Sequence, residues 1–201
     1  MIALIDYGMG NLRSVEKALK RVGGDVRIVR DATLLAKAER LVLPGVGAFA
    51  DCMANLQNQG LLDPLREYLR RGRPFLGICL GYQALFEGSE EAPGIEGLGI
   101  FKGRVVRFPE TSLKVPQIGW NRIEIRKPEC PLLRGIADGS HVYLVHSYYP
   151  APANPTLACA MTEYGVRFAA MIWRDNLFAC QFHPEKSQAV GLKILENFVH
   201  H

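Results

Sequence analysis

Cys79 lies at the centre of Gly77-Ile78-Cys79-Leu80-Gly81, with a glycine two residues to either side. The apolar run Pro74-Phe75-Leu76 precedes it, and the helix-like stretch Tyr82-Gln83-Ala84-Leu85-Phe86 follows. A strand that turns sharply into a helix needs small flanking residues, and G-x-nucleophile-x-G is the pattern of such an elbow, here with cysteine as the nucleophile. The corner exposes the sulfur and sets it near the positive end of a helix, which favours the thiolate. A thiol nucleophile also needs a base, and the base needs an orienting group. Of the five histidines, His200 and His201 lie at the terminus, leaving His141, His146 and His183. His183 follows the strand-like stretch 177–182 and precedes Pro184, which restricts it to extended geometry. Glu185, two residues on, can point the same way in an extended segment and set the imidazole tautomer. The candidate triad is therefore Cys79, His183 and Glu185, with the cysteine and histidine at carboxyl ends of strands. Taken singly, a buried cysteine is a small hydrophobe and a histidine before proline is a packing or surface residue. Their conjunction favours catalysis.

Pro44-Gly45-Val46-Gly47 ends another strand-like run. Its N–H groups, with that of Leu80 just after the nucleophile, can hold a developing oxyanion; the alternative is a plain turn that launches the next helix. Gly8-Met9-Gly10-Asn11 is a strand-to-helix loop without a complete phosphate motif, so a turn is favoured over an anion cradle. The remaining cysteines, Cys52, Cys130, Cys159 and Cys180, form no C-x-x-C pair, and the total of five is odd. A zinc site or a secreted disulfide framework is not expected, and these four read as small core residues.

The elements that must position these groups alternate. Strands are expected at 2–5, 26–29, 41–43 and 75–78, and helices at 12–22, 34–38 and within 55–71, where Pro64 suits the first turn of a second helix. Gly23-Gly24 ends the first helix. This β-α-β-α order predicts a parallel sheet covered on both faces. Beyond Gly99 the pattern changes to strands at 104–108, 118–125, 142–149, 157–162, 168–173 and 177–182, with Asp175-Asn176 as a hairpin turn. A helix over 190–199 follows, with Leu192, Leu195 and Val199 at helical spacing. The expectation is one α/β domain over residues 1–201, with antiparallel or mixed sheet in its second half.

Composition bounds the partners. With 201 residues, 48% hydrophobic and 22% charged, the chain has the make-up of an ordinary globular protein. Its net charge of +4 is spread out, without an arginine- or lysine-rich block, so nucleic acid is not an expected partner. No apolar stretch is long enough to span a bilayer, and the N-terminus lacks the layout of a signal peptide. A soluble, cytoplasmic protein is expected, with no membrane partner, metal or cofactor.

Together these motifs resemble the class I, triad-type glutamine amidotransferases. The resemblance rests on Pro44-Gly45-Val46-Gly47, Gly77-Ile78-Cys79-Leu80-Gly81-Tyr82-Gln83 and Phe182-His183-Pro184-Glu185, whose order and spacing run through almost the whole chain. It is narrower still toward the glutaminase subunits of imidazole glycerol phosphate synthases of histidine biosynthesis. That match is carried by Asp6-Tyr7-Gly8-Met9-Gly10-Asn11, Gly119-Trp120-Asn121, Val145-His146-Ser147-Tyr148-Tyr149 and His183-Pro184-Glu185-Lys186-Ser187. The resemblance implies a flavodoxin-like domain with a central, mostly parallel mixed sheet flanked by helices and additional antiparallel strands in the second half. It implies that Cys79 attacks the carboxamide of L-glutamine, that His183 protonates the leaving ammonia and then activates water, and that Glu185 orients His183. Gly45, Val46, Gly47 and Leu80 are implied oxyanion contacts. Gln83 and Glu91 are implied substrate ligands, Glu91 toward the ammonium group, and Ser147 and Tyr148 are implied to bind the amino-acid end through their backbone. By residue type alone, Gln83 and Glu91 read as polar surface. Trp120 and Lys186 are implied interface residues; by type alone, Trp120 reads as core and Lys186 as solvated surface. The chain holds no further set of residues for an ammonia-accepting reaction, and the resemblance names the acceptor as a (β/α)₈-barrel cyclase subunit in a heterodimer. The rival functions are a stand-alone amidase, peptidase or γ-glutamyl hydrolase, a binding module that keeps the fold without catalysis, and a thiol redox sensor, disfavoured because no resolving cysteine lies near Cys79 in sequence. The 44–47 loop can take more than one peptide orientation, so an oxyanion hole that forms only on activation is also expected.

Overall fold

A computed structural model describes residues 1–110 and 113–201. The first half alternates as expected: β1 (Ile2–Ile5), α1 (Leu12–Arg21), β2 (Val26–Val29), α2 (Ala32–Lys37), β3 (Arg40–Leu43), α3 (Phe49–Asn58), α4 (Leu62–Arg70), β4 (Phe75–Ile78) and α5 (Leu80–Gln83). Then come β5 (Gly88–Ser89), β6 (Ala92–Glu96), β7 (Gly103–Arg107), β8 (Gln117–Arg122), β9 (Glu124–Ile125), β10 (His141–His146), β11 (Tyr148–Pro152), β12 (Ala158–Tyr164), β13 (Val166–Arg174), β14 (Leu177–Cys180) and α6 (Gln188–Val199).

Eight strands form the central sheet in the order β2-β1-β3-β4-β14-β13-β12-β9. The pairs from β2 to β14 are parallel, and those from β14 to β9 are antiparallel. Side chains on successive strand residues point to opposite faces. Ile2, Leu4, Val42, Leu76 and Ile78 accordingly pack against Val15 and Leu19 of α1 and Ile194, Leu195 and Phe198 of α6. Ala3, Ile5, Leu41, Leu43 and Phe75 face the other way, against Phe49 and Leu56 of α3 and Leu65 and Tyr68 of α4. Two buried faces explain why these strands read as unbroken apolar runs. Each fully buried large aliphatic or aromatic side chain contributes about 1.5–3 kcal/mol. Among the described residues no helix is long and apolar enough to cross a membrane.

The second half departs from the simple pattern. The stretch 142–149, expected as one strand, breaks at Ser147: β10 pairs with β8 in a two-stranded sheet, while β11 joins the four-stranded sheet β11-β7-β5-β6. Likewise 118–125 divides at Ile123, whose N–H bonds to Ser140 O and whose side chain is fully buried. Sheet pairing at long range imposes both breaks. The β5–β6 hairpin, unrecognised in the sequence, carries Glu91 in its turn. Helix α3 starts at Phe49, earlier than the helical spacing from 55 implied, behind an Ala48 N-cap with no side-chain bond.

Candidate active site

Cys79 has φ 53 and ψ −107, a region that non-glycine residues rarely occupy and that stores strain. Its N–H donates to Cys180 O at 2.8 Å, which ties the corner to β14. The flanking glycines are required by close backbone approach. A Cβ on Gly77 would lie 2.8 Å from Gly81 O, and a Cβ on Gly81 would run into the carbonyl oxygen of Leu43 at the end of β3. Helix α5 is one turn, 80–83, instead of the stretch 82–86 read from the sequence. So short a helix has little macrodipole.

β14 lies parallel beside β4, with Cys180 opposite Ile78, so the residues just past both strands share one site. His183 is extended (φ −99, ψ 98), as its proline neighbour requires, and Pro184–Lys186 then forms a 3₁₀ turn instead of the extended segment expected. The turn still brings Glu185 Oε1 to 2.9 Å from His183 Nδ1, with both side chains 2% exposed. His183 is pinned along its backbone: its N–H donates to Tyr143 O, and its carbonyl accepts from Ser187 Oγ at 2.7 Å. His183 Nε2 and Glu185 Oε2 are buried without a hydrogen-bond partner. Burial alone would lower the His183 pKa, but the Cys79 sulfur and the Glu185 carboxylate outweigh it and push it up to about 10.

A cavity of about 340 Å³ opens onto Cys79, and its lining includes Val46, Gly47, Leu80, Gln83, Glu91, Ser147 and Tyr148. The tertiary structure thus gathers residues that were singled out from four separate parts of the sequence. Gly45 is not among the lining residues. It packs behind the loop, where a Cβ would meet Tyr7 Oη at 2.5 Å and Leu80 Cβ at 2.8 Å. The Leu80 N–H, read as an oxyanion donor, is engaged by Gly45 O at 3.4 Å. Gln83 Nε2 donates to Tyr148 O (3.0 Å) and to Gln181 Oε1 (3.1 Å), so only its oxygen is left to face a ligand. Gln83 is buried, unlike the polar surface residue its type suggests. Glu91 Oε2 accepts the Phe49 N–H at 2.9 Å and so caps α3 while its carboxylate lines the cavity. The carbonyls of Ser147 and Tyr148 are both taken, by Phe108 N–H and by Gln83.

Four neighbours lie outside the site residues expected from the sequence. Pro116, Val145 and His146 line the cavity, and Gln181 Nε2 donates to Cys79 Sγ at 3.5 Å. Gln181 had a legible signal, because it stands two residues before His183 and alternation puts both on one side of the chain. His146 Nδ1 lies 2.8 Å from Tyr148 O and Nε2 lies 3.0 Å from the Gln117 side-chain amide. Burial, and secondarily the charge of His183, pushes the His146 pKa down to about 4 against the pull of the Tyr148 carbonyl. Trp120 is 47% exposed, contrary to the core position its type suggests, and packs edge-on to Tyr143, over whose ring Lys186 Nζ also sits. A larger groove of about 630 Å³, bordered by Arg122, Glu124, Glu163 and Arg167, contains neither a cysteine nor a histidine.

The family model for glutamine amidotransferase class-I matches residues 3–201. The imidazole glycerol phosphate synthase subunit HisH of Syntrophotalea carbinolica is 52% identical over 98% of both chains. The HisH subunit of Caldanaerobacter subterraneus subsp. tengcongensis is 53% identical over 98% of this chain and 97% of its own. The chain belongs to the class I glutamine amidotransferases, in the HisH family. The class I amidotransferase fold also recurs in more distant solved structures. A glutamine amidotransferase crystal structure aligns over the full length of both chains with a TM-score of 0.77 at 19% identity. PurLQS from Thermotoga maritima aligns over 99% of this chain and 97% of its own, with a TM-score of 0.78, also at 19% identity. The mixed sheet of this class I amidotransferase agrees with the fold expected from its sequence.

Proposed function

We propose that this chain is the glutaminase subunit of an imidazole glycerol phosphate synthase, acting in histidine biosynthesis. The observation that carries the reading is the buried His183–Glu185 pair behind Cys79, which lines the cavity, in a chain about half identical to HisH subunits. The Cys79 thiolate attacks the side-chain carboxamide carbon of L-glutamine, and the electron pair of the C=O bond moves to oxygen. The His183 imidazolium gives its proton to the departing nitrogen, the C–N bond breaks, and ammonia leaves behind a γ-glutamyl thioester. Neutral His183 then takes a proton from water, hydroxide adds to the thioester, and glutamate is released with the thiolate restored. Glu185 keeps the Nδ1 proton in place through both steps. Gln83, Glu91, Ser147 and Tyr148 hold the amino-acid end of the substrate, with the Glu91 carboxylate suited to its ammonium group.

The oxyanion contacts are Leu80 N–H and the 44–47 loop with Gly45, Val46 and Gly47. Because Gly45 O holds the Leu80 N–H, a shift of that loop has to precede stabilisation of the oxyanion. That supports a glutaminase switched on by a partner. The partner is a (β/α)₈-barrel cyclase subunit, which consumes the ammonia as it makes imidazole glycerol phosphate and aminoimidazole carboxamide ribotide. Trp120 and Lys186, both exposed and meeting over Tyr143, are the interface residues. All five cysteines are free thiols, which supports a reducing, cytoplasmic setting. Glutamate release from glutamine, measured with and without the purified cyclase subunit and its ligand, tests the reading. Slow hydrolysis alone and a large rise in the complex are expected. Rapid partner-free cleavage of peptides or γ-glutamyl chains would instead establish an autonomous hydrolase.

A further inference from the structure

We propose that Gln181 is an additional catalytic residue, whose side-chain amide donates a hydrogen bond to the Cys79 sulfur and favours its charged form before attack. The inference rests on Cys79 being the nucleophile. Gln181 is fully buried, and its Nε2 lies 3.5 Å from Cys79 Sγ. A chain of obligatory roles fixes which way that amide faces. Tyr148 O can only accept, so the Gln83 atom 3.0 Å from it is the NH₂ group. That nitrogen donates to Gln181 at 3.1 Å, so the Gln181 atom receiving it is the oxygen. The other end of the Gln181 amide, turned toward the sulfur, is therefore the NH₂. Its backbone is held too, by donation of the Gln181 N–H to Ala170 O at 2.8 Å. A donor aimed at a sulfur inside a buried site stabilises the anion more than the neutral thiol. Gln181 and His183 thus approach Cys79 from one strand end, the first as a fixed neutral donor and the second as the group that exchanges a proton.

The other titratable groups around the sulfur do not duplicate this role. Burial holds the thiol of Cys180 and the phenol of Tyr7 neutral, with pKa values far above their ordinary ones. Glu185 acts through His183, Glu91 stands across the cavity on Phe49 N–H, and His146 is kept neutral by burial.

The test is the pH profile of iodoacetamide alkylation at Cys79 in the full chain, followed by mass spectrometry of its peptide, alongside glutamine turnover. Gln181→Met keeps the volume and removes the donor. It is expected to raise the alkylation midpoint by about one to two pH units and to lower turnover at neutral pH by about 10- to 100-fold, with recovery at higher pH. Gln181→Glu, similar in shape but ionised, is expected to raise the midpoint further. Should either variant fail to fold, Gln83→Leu carries the test, because it frees the Gln181 amide to turn and should move the midpoint the same way by less. Folded variants that lose activity with an unmoved midpoint would show that Gln181 only packs, and would overturn the proposal. Full glutamine hydrolysis by Cys79→Ala would instead overturn the reading on which it rests, whatever the midpoints.

Discussion

Two buried histidines flank the site, and the two are held in opposite charge states: His146 lines the cavity, whereas His183 stands behind Cys79 and does not. On the β4–β14 side, His183 lies between a sulfur and a carboxylate, and its pKa rises to about 10. On the β10–β11 side, His146 contacts a carbonyl and a neutral side-chain amide, and its pKa falls to about 4. Both rings are buried, so the chemistry of the partners decides the difference. On the thiol side two contacts are in place in the free chain, Gln181 Nε2 on Cys79 Sγ and Glu185 on His183 Nδ1. The 44–47 loop is more open, with Val46 40% exposed and the Leu80 N–H occupied by Gly45 O. Under the proposed function the thiol side is prepared and the oxyanion donor is not, which leaves the loop side as the step for regulation.

The contrast can be broken most severely at the thiol. Cys79→Ala should lower glutamine-dependent turnover by at least about 10⁴-fold while ammonia-dependent synthesis with the partner persists. Parallel assays with glutamine and with ammonium salt check this. Glu185→Gln should come next, reducing glutaminase activity by about 10²–10⁴-fold, because it removes the carboxylate that holds the imidazolium. The same substitution sharpens the comparison through pH. A histidine raised from 6.5 to about 10 stabilises the fold fully below 6.5, and that contribution is lost as pH rises through 10. Denaturant titrations should show wild type exceeding Glu185→Gln by more at neutral than at strongly alkaline pH.

Gly81→Ala should cost about 2–4 kcal/mol, because its Cβ meets the β3 backbone, which cannot give way. Gly47→Ala on the facing loop should cost less, about 1–2 kcal/mol, for placing an alanine at φ +111. Thermal melts rank the two, and equal losses would contradict a rigid wall facing an adaptable one. The smallest effect concerns His146. Its depressed pKa makes the fold lose stability as pH falls from 6.5 to about 4, where the unfolded chain takes up a proton that the folded chain refuses. His146→Gln should flatten that acid limb of the stability profile.

The elbow was readable from sequence because its constraint is local: glycines on either side of Cys79 announce a sterically tight corner. The same holds for the proline that sets His183 and for the apolar runs of the parallel strands. The break at Ser147 was not readable, since 142–149 is continuous strand-forming sequence and only pairing with β8 on one side and β7 on the other divides it. Gln181 and His146 are harder to read for a related reason. Alternation with His183 hints at Gln181, but an uncharged amide and one histidine among several gain meaning from what they touch, and Gln83, Cys79 and Gln117 lie far off in the chain. The sequence by itself determined the glycine-flanked corner at Cys79, the His183-Pro184-Glu185 segment, and the α/β alternation that places them at strand ends, all written in spacing of a few residues. Only the tertiary structure decided which walls face each other, which backbone donors are free and which histidine carries charge, because those depend on burial and on hydrogen bonds between distant segments.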